Sequence, residues 1–166
     1  LVSPAIDGVR CCLHQGLGPI GRNRRPIPNP YVRGALRSTL LAGLDGQLVV
    51  GDSTGREVFA RAVTGIIASC QPVDWHFHVY DDFSHSSIAF SDRLKRLERR
   101  LQEELREVRV GSRPVQAAVH LVRYRVADNL DGFTRLYEGF LKEGFAGAIL
   151  RDPSAPYVCG RPPAGA

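Results

Sequence analysis

Lysine is nearly missing from this chain: 20 of its 22 basic side chains are arginine, leaving Lys95 and Lys142 as the only side-chain amines. Any covalent chemistry that needs a lysine nucleophile therefore has two candidates at most. Methionine is absent, initiator included, so the first residue is expected to be the start of a processed or trimmed polypeptide. No apolar run approaches the roughly 20 residues of a membrane-spanning helix, and the first residues lack a basic segment followed by an apolar core. No membrane partner and no secretory leader are expected, and the expected location is cytoplasmic. Cysteine is sparse, with Cys11, Cys12, Cys70 and Cys159 and no C-x-x-C pair. Cys11 and Cys12 are neighbours, and adjacent strand residues point to opposite faces, so they are not expected to share a zinc ion or pair. Free buried thiols in a reducing compartment are expected. No serine stands in a G-x-S-x-G setting, which excludes a hydrolase built on that strained turn.

The residues that are present describe one globular domain. A length of 166 residues with 43% hydrophobic and 23% charged content suits a single buried core. The net charge of +5 favours a polyanionic partner. Arginine's planar fork suits phosphates, although a GC-rich genome would produce the same arginine bias.

Val9 to His14 reads as a short strand, followed by a Gly-, Pro- and Arg-rich loop to Pro28. Asn29-Pro30 predicts a helix start, with Asn as cap and Pro in the first position, over about 31–41. Leu44 to Gly51 reads as a strand, Asp52 to Gly55 as a turn, and Glu57 to Ala68 is ambiguous. Trp75 to Phe83 alternates like a strand with one buried face. Leu94, Leu97, Leu101, Leu105 and Val108 mark a helix capped by Ser91. Gln116 to Tyr124 predicts a strand. A helix is expected from Asp128 to Lys142, with Leu130, Phe133, Leu136, Tyr137 and Phe140 inward, then a strand over Phe145 to Arg151. Strands and helices alternate irregularly, which predicts an α+β domain.

Among possible ligands, His76 and His78 would share a strand face, a metal-pair geometry in principle. With no third ligand evident and with His85 and His120 standing alone, no metal site is expected. Asp81 and Asp82 are adjacent and would diverge, so a strand-end turn is expected there rather than a pair of acids.

Four segments carry more: PAIDGVR (4–10), LDGQLVVGD (44–52), FHVYDDF (77–83) and EGFAGAILRDPSAPYVCGR (143–161). With GRNRRPIPNP (21–30), they resemble, in order and spacing, the adenylation domain of ATP-dependent DNA ligases of the small phage and bacterial type. The resemblance implies antiparallel sheets with flanking helices around a central cleft, over residues 1–161, with 162–166 a tail. In that family a lysine in K-x-D-G-x-R attacks the α-phosphorus of ATP. The AMP then passes to the 5′-phosphate of a DNA nick, and Mg²⁺ held by carboxylates offsets the phosphoryl charge. The match implies cleft roles for Asp7, Gly8 and Arg10 and an adenine-stacking role for Tyr80. It implies phosphate contacts for Arg10, Arg22, Arg24 and Arg161, with Arg25 beside them.

The departures matter as much. Ala5 stands where the family has its nucleophilic lysine, Gln47 where it has the Glu of D-G-E, Ala146 where it has the Glu of G-x-E-G, and Val158 where a Lys is usual. The chain also stops before the family's K-x-K segment and oligonucleotide-binding (OB-fold) domain. Lys95 and Lys142 fall on amphipathic helices and offer no substitute nucleophile. Each lost charge-assisted contact costs about 1.5–3 kcal/mol. Neither ATP nor Mg²⁺ is therefore expected as a cofactor, and the domain is expected to be catalytically inactive, whether as an engineered variant or a degenerate relative. Two further readings stay open. The emptied cleft, lined by Ala5, Tyr80, Ala146, Ile149 and Val158, would hold an apolar small molecule or a second copy of the chain. Alternatively, the arginines still bind nicked DNA, weakly.

Overall fold

Apolar residues alternate with polar ones through WHFHV, which with LDGQLVV forms the central strands of a sheet with two unlike faces. The computed structural model describes residues 1–159. Its main sheet has five strands in the order β3(Gly18–Ile20), β2(Val9–His14), β4(Leu44–Val50), β5(Trp75–Asp82), β8(Val119–Leu121). All neighbours are antiparallel except β5 and β8, which run parallel. A second sheet pairs β1(Val2–Ala5) with β9(Gly147–Leu150), and β6(Arg109–Val110) pairs with β7(Arg113–Pro114).

One face of the main sheet carries Leu13, Leu48, Phe77 and Val79 into the larger core. There it meets Val32 and Leu36 at α1(Pro30–Ala35), Leu97 of α3(Phe90–Arg99), and Leu101 and Leu105 just beyond α3. The opposite face carries Arg10, Gln47, Val49, His76, His78 and Tyr80, as the register between the strands requires. At one end of that face Ile6, Val49, Val58, Tyr80 and Val122 form a second, smaller core under the β1–β9 pair. Val58 opens α2(Val58–Ala62), which continues as a π-helical turn over Val63–Ala68 and so resolves the ambiguous stretch as helical. No helix among the described residues is long and apolar enough to cross a membrane.

Several boundaries differ from expectation for local reasons. Asn29 caps α1 as predicted, accepting from the Tyr31 and Val32 amides, while its own amide donates to the Gly65 and Gln71 carbonyls. The helix stops at Ala35, and the Ser38 hydroxyl starts a separate 3₁₀ turn, Thr39–Leu41, by accepting from the Leu40 amide. Ser91 is not a cap. The helix starts at Phe90, and the Ser91 amide is satisfied by the Pro153 carbonyl from the C-terminal segment. Beyond Arg99 the helix widens into a π-helical turn, Arg100–Glu104. The strand predicted over 116–124 shrinks to three residues at the sheet edge.

In α4(Leu130–Lys142) the cap is Asn129 rather than Asp128, and only Phe140 of the expected inward residues is buried. Leu130 is 77% exposed, because α4 rests on β9 and β1 along one narrow line only. The thiols also depart from expectation: Cys11 is buried, but Cys70 and Cys159 are exposed.

Candidate functional site

The PAIDGVR segment folds back on the sheet at the end of β1. Ala5 pairs with Gly147 of β9, and the Ala146 amide donates to the Ala5 carbonyl at 3.2 Å. The Tyr80 hydroxyl reaches across to the same place, accepting from the Ile6 amide at 2.8 Å and donating to the Pro4 carbonyl at 3.0 Å. Gly8 then passes so close to β4 that a Cβ would lie 2.5 Å from the Leu48 carbonyl oxygen and 3.2 Å from Gln47 Cβ. Only glycine allows that approach. Backbone contacts thus set Ala5 beside Ala146 and Gly147, and Gly8 against Gln47 in the middle of β4, with Asp7 exposed on the turn between. The Gln47 Oε1 is buried without a hydrogen-bond partner. Val158 is not drawn in: it is 60% exposed on the C-terminal segment.

Tyr80 is 4% exposed, with its ring in the smaller core and its hydroxyl bound on both sides of position 5. This is a clamp, not an open stacking surface. Tyr80→Phe is expected to leave two backbone groups without their partner and cost about 2 kcal/mol. Urea unfolding together with hydrogen exchange at the Ile6 amide checks this, and a cost below about 0.5 kcal/mol would remove the clamp from the account.

The carboxylates of this face are already engaged. Asp45 is 1% exposed and takes Arg10 through both Nε, at 2.5 Å, and Nη2, the Tyr157 hydroxyl at 2.9 Å and the Cys12 thiol at 3.2 Å. Burial first, and Asp45 next, push the Cys12 thiol up to about 11, so it is protonated at neutral pH. Asp81 accepts Arg93 Nε at 2.8 Å and Nη2 at 3.0 Å, and Arg151 Nη1 at 2.8 Å. Asp82 accepts Arg100 Nη1 at 2.6 Å. Asp81 and Asp82 thus diverge to separate arginines rather than acting as a pair of acids, and Asp82 caps the turn Phe83–His85 that follows β5, the strand-end turn expected there. Among the described residues no three His, Cys, Asp or Glu are grouped to hold an ion. With these carboxylates bound to arginines and Gln47 and Ala146 uncharged, the residues present do not fit the Mg²⁺ site of an adenylyl-transfer centre.

Two concavities among the described residues lie away from the place where an apolar pocket was expected. Concavities of about 230 and 220 Å³ lie at the start of α4 and between Leu17, Pro19, Pro26, Arg33 and Arg37. Neither is lined by Ala5, Tyr80, Ala146, Ile149 or Val158. Ile149 packs on the smaller core instead.

The arginine loop behaves differently from the cleft. Residues 8–44 contain no Asp or Glu and six arginines. Between β3 and α1 the chain turns at Gly21–Arg25, closed by the Gly21 amide on the Arg25 carbonyl at 2.8 Å, with Arg24 left-handed at φ 61°. Arg22, Arg24 and Arg25 are exposed, as is Arg37. Among the described residues none of the four forms an ion pair with a carboxylate. Arg161 lies outside the described residues. Lys95, 80% exposed beside Asp92, and Lys142, also exposed, both ride on helices.

Sequence reasoning missed Asp45 as the partner of Arg10, although register across β2 and β4 sets Cys12, beside Arg10, opposite it. It also treated His120 as isolated, whereas β8 brings it to His76 and His78. Burial first, then the neighbouring histidines, lower His78 to about 4, and burial lowers His120 as well.

This arrangement, a five-stranded sheet with a small β1–β9 pair closing over one end, is the fold of the adenylation domain of ATP-dependent DNA ligases. The Chlorella virus DNA ligase-adenylate superposes with a TM-score of 0.77 at 18% identity, covering 95% of this chain and 56% of that one. Lig E DNA ligases, described as binding DNA with a minimal scaffold, give 0.70 at 20%, covering 95% and 56%. A mycobacterial DNA ligase D complexed with ATP and MES gives 0.64 at 20%, covering 95% and 49%. The chain therefore spans about half the length of these ligases. A scan of protein-family models returns no match, and no curated sequence matches.

Proposed function

We propose that this chain is a ligase-type adenylation domain that does not adenylylate itself and that acts by holding the phosphate backbone of nicked DNA. The observation that carries the reading is the pairing of charges. Asp45, Asp81 and Asp82 are occupied by Arg10, Arg93, Arg100 and Arg151, while Arg22, Arg24, Arg25 and Arg37 are exposed on an acid-free segment. A methyl group at position 5 cannot form a phosphoramidate, and both lysines sit in solvent on helices. ATP and Mg²⁺ are therefore not cofactors of this chain, and the loop arginines supply its affinity for polyanions.

Fluorescence anisotropy with a nicked duplex tests this. Four phosphate contacts give a slope of log K against log salt of about −3 to −4. Changing Arg22, Arg24 and Arg25 together to Gln is expected to flatten it by about 2–3. Incubation with ATP and Mg²⁺ is expected to leave the protein mass unchanged. A mass increase of one adenylyl group, or binding insensitive to salt, would overturn the reading.

A further inference from the structure

Three imidazoles converge on the sheet face that also carries Arg10 and Gln47. His76 and His78 are two apart on β5, and β8 runs beside it with His120 in register with His78. His76 Nδ1 lies 3.0 Å from His120 Nε2. The ring centroids are 5.2 Å apart for His76 and His120, and 5.3 Å apart for His78 and His120. On the far side of His76, Nε2 lies 3.4 Å from Asp74 Oδ1.

One proton lies between His76 Nδ1 and His120 Nε2, on one ring or the other. Moving it to the second nitrogen of that ring leaves two lone pairs there with no change in net charge. Small turns of the two rings off the line between them then aim both lone pairs at one point about 2.0–2.1 Å from each, for which two nitrogens stand roughly 3 Å apart. The His76 side chain is 25% exposed, so an ion can reach it from solvent. Arg113, whose Nη1 is 3.4 Å from Asp74 Oδ1, shares that carboxylate and opposes a cation here.

We propose that His76 and His120 chelate a divalent late transition-metal ion, of the Ni²⁺, Cu²⁺ or Zn²⁺ class, which bridges β5 and β8. Imidazole nitrogens select such ions over Mg²⁺ or Ca²⁺. His78 lies beside the pair and is not counted as a ligand, so water fills the remaining positions. His76 and His120 are not among the residues matched to the adenylation site, although neighbouring His78 lies in FHVYDDF and stands opposite Gln47. Its effect is structural, because β8 is a three-residue parallel edge strand and a cross-strand chelate ties it to the centre of the sheet.

The test uses the full chain without an affinity tag, with Cys70→Ser and Cys159→Ser to remove the exposed thiols. NiCl₂ is titrated near pH 7.5 in a non-coordinating buffer by calorimetry, and thermal unfolding is followed with and without the ion. One saturable site per chain and a rising Tm are expected. His76→Ala and His120→Ala should each weaken Ni²⁺ binding at least tenfold, while His85→Ala, on a different turn, leaves it unchanged. Metal-free Tm and circular dichroism verify that each variant folds, and His120→Gln serves if the alanine form does not. No saturable binding, or affinity unchanged by both the His76 and His120 substitutions, would overturn the proposal.

Discussion

Replacing Asp81 by asparagine is expected to destabilise the fold by about 3 kcal/mol, a large share of the 5–15 kcal/mol that holds a typical domain together. Asp81 and Arg93 are both essentially out of solvent, with side chains 0% and 2% exposed, and two Arg93 nitrogens bind the carboxylate. Arg151 adds a third charged contact. The asparagine keeps the shape and can still accept the Asp82 amide, so the loss isolates the charge. Breaking a buried pair costs about 3–5 kcal/mol because the remaining ion keeps its desolvation penalty without its partner. The lower end applies here, since Arg93 also donates to the Ile88 and Ala155 carbonyls and lies over the Phe90 and Tyr157 rings. Replacing both partners, Asp81→Leu with Arg93→Met, should recover part of the loss, because the buried arginine goes with its carboxylate, while the half-buried Arg151 loses its partner and the Ile88 and Ala155 carbonyls lose their donor. Urea unfolding of the two variants decides the matter: a single-variant cost under about 1 kcal/mol, or a double variant worse than the single, contradicts the account.

The second large effect is alkaline unfolding. Burial above all raises Tyr80, Tyr124 and Tyr157, with Tyr124 pushed up to about 12. In the unfolded chain a tyrosine ionises near 10. A group whose folded pKa lies above its unfolded value stabilises the fold fully below the unfolded value, and that contribution is lost as pH rises through the folded one. For Tyr124 the difference of about 2 units amounts to about 2–3 kcal/mol. Tyr80 and Tyr157 add to it in the same direction, and Cys12, pushed up to about 11, begins to contribute above its unfolded value. Stability should therefore hold to about pH 9 and then fall steeply, with global unfolding before about pH 12. Urea midpoints at rising pH, followed together with tyrosinate absorbance, check this. With the exposed Tyr31 and Tyr137 replaced by Phe, the absorbance of Tyr80, Tyr124 and Tyr157 should rise in step with the loss of structure, and their smooth ionisation in a folded protein would contradict it.

The contrast between these residues and the loop arginines shows how far the chain could be read before it was folded. Trp75–Asp82 was legible because two-residue alternation reports a sheet with unlike faces, and Leu44–Val50 because a short run ends at the turn signal Asp52–Gly55. Asn29-Pro30 likewise marked α1, because the cap and the first helical position lie side by side. Ser91 misled for the opposite reason. The group that satisfies its amide is the Pro153 carbonyl, more than sixty residues away, and no local pattern records such a partner. Leu130, Phe133, Leu136 and Tyr137 had helical spacing, but spacing sets only which residues share a stripe. How much of the stripe is covered depends on the neighbour, and β9 with β1 is too narrow. Tyr80 was correctly placed beside Asp81, yet whether its ring is offered to a ligand or spent on clamping position 5 depends on β1 lying across it.

By itself, then, the sequence determined the α+β character, the two central strands, the resemblance to a ligase adenylation domain and the absence of an amine at position 5. These are properties of local pattern and residue identity, and nothing in the rest of the chain can supply a nitrogen that the side chain lacks. Only the tertiary structure decided which charges are spent and which are free. Arg10 and Arg93 are held on buried carboxylates while Arg22, Arg24 and Arg25 face water, although all five are the same residue type. It also decided that His120 joins His76. A pairing between groups far apart in the chain is chosen by the fold that desolvates them, because an ion or imidazole withdrawn from water must find its partner in whatever strand the topology sets beside it.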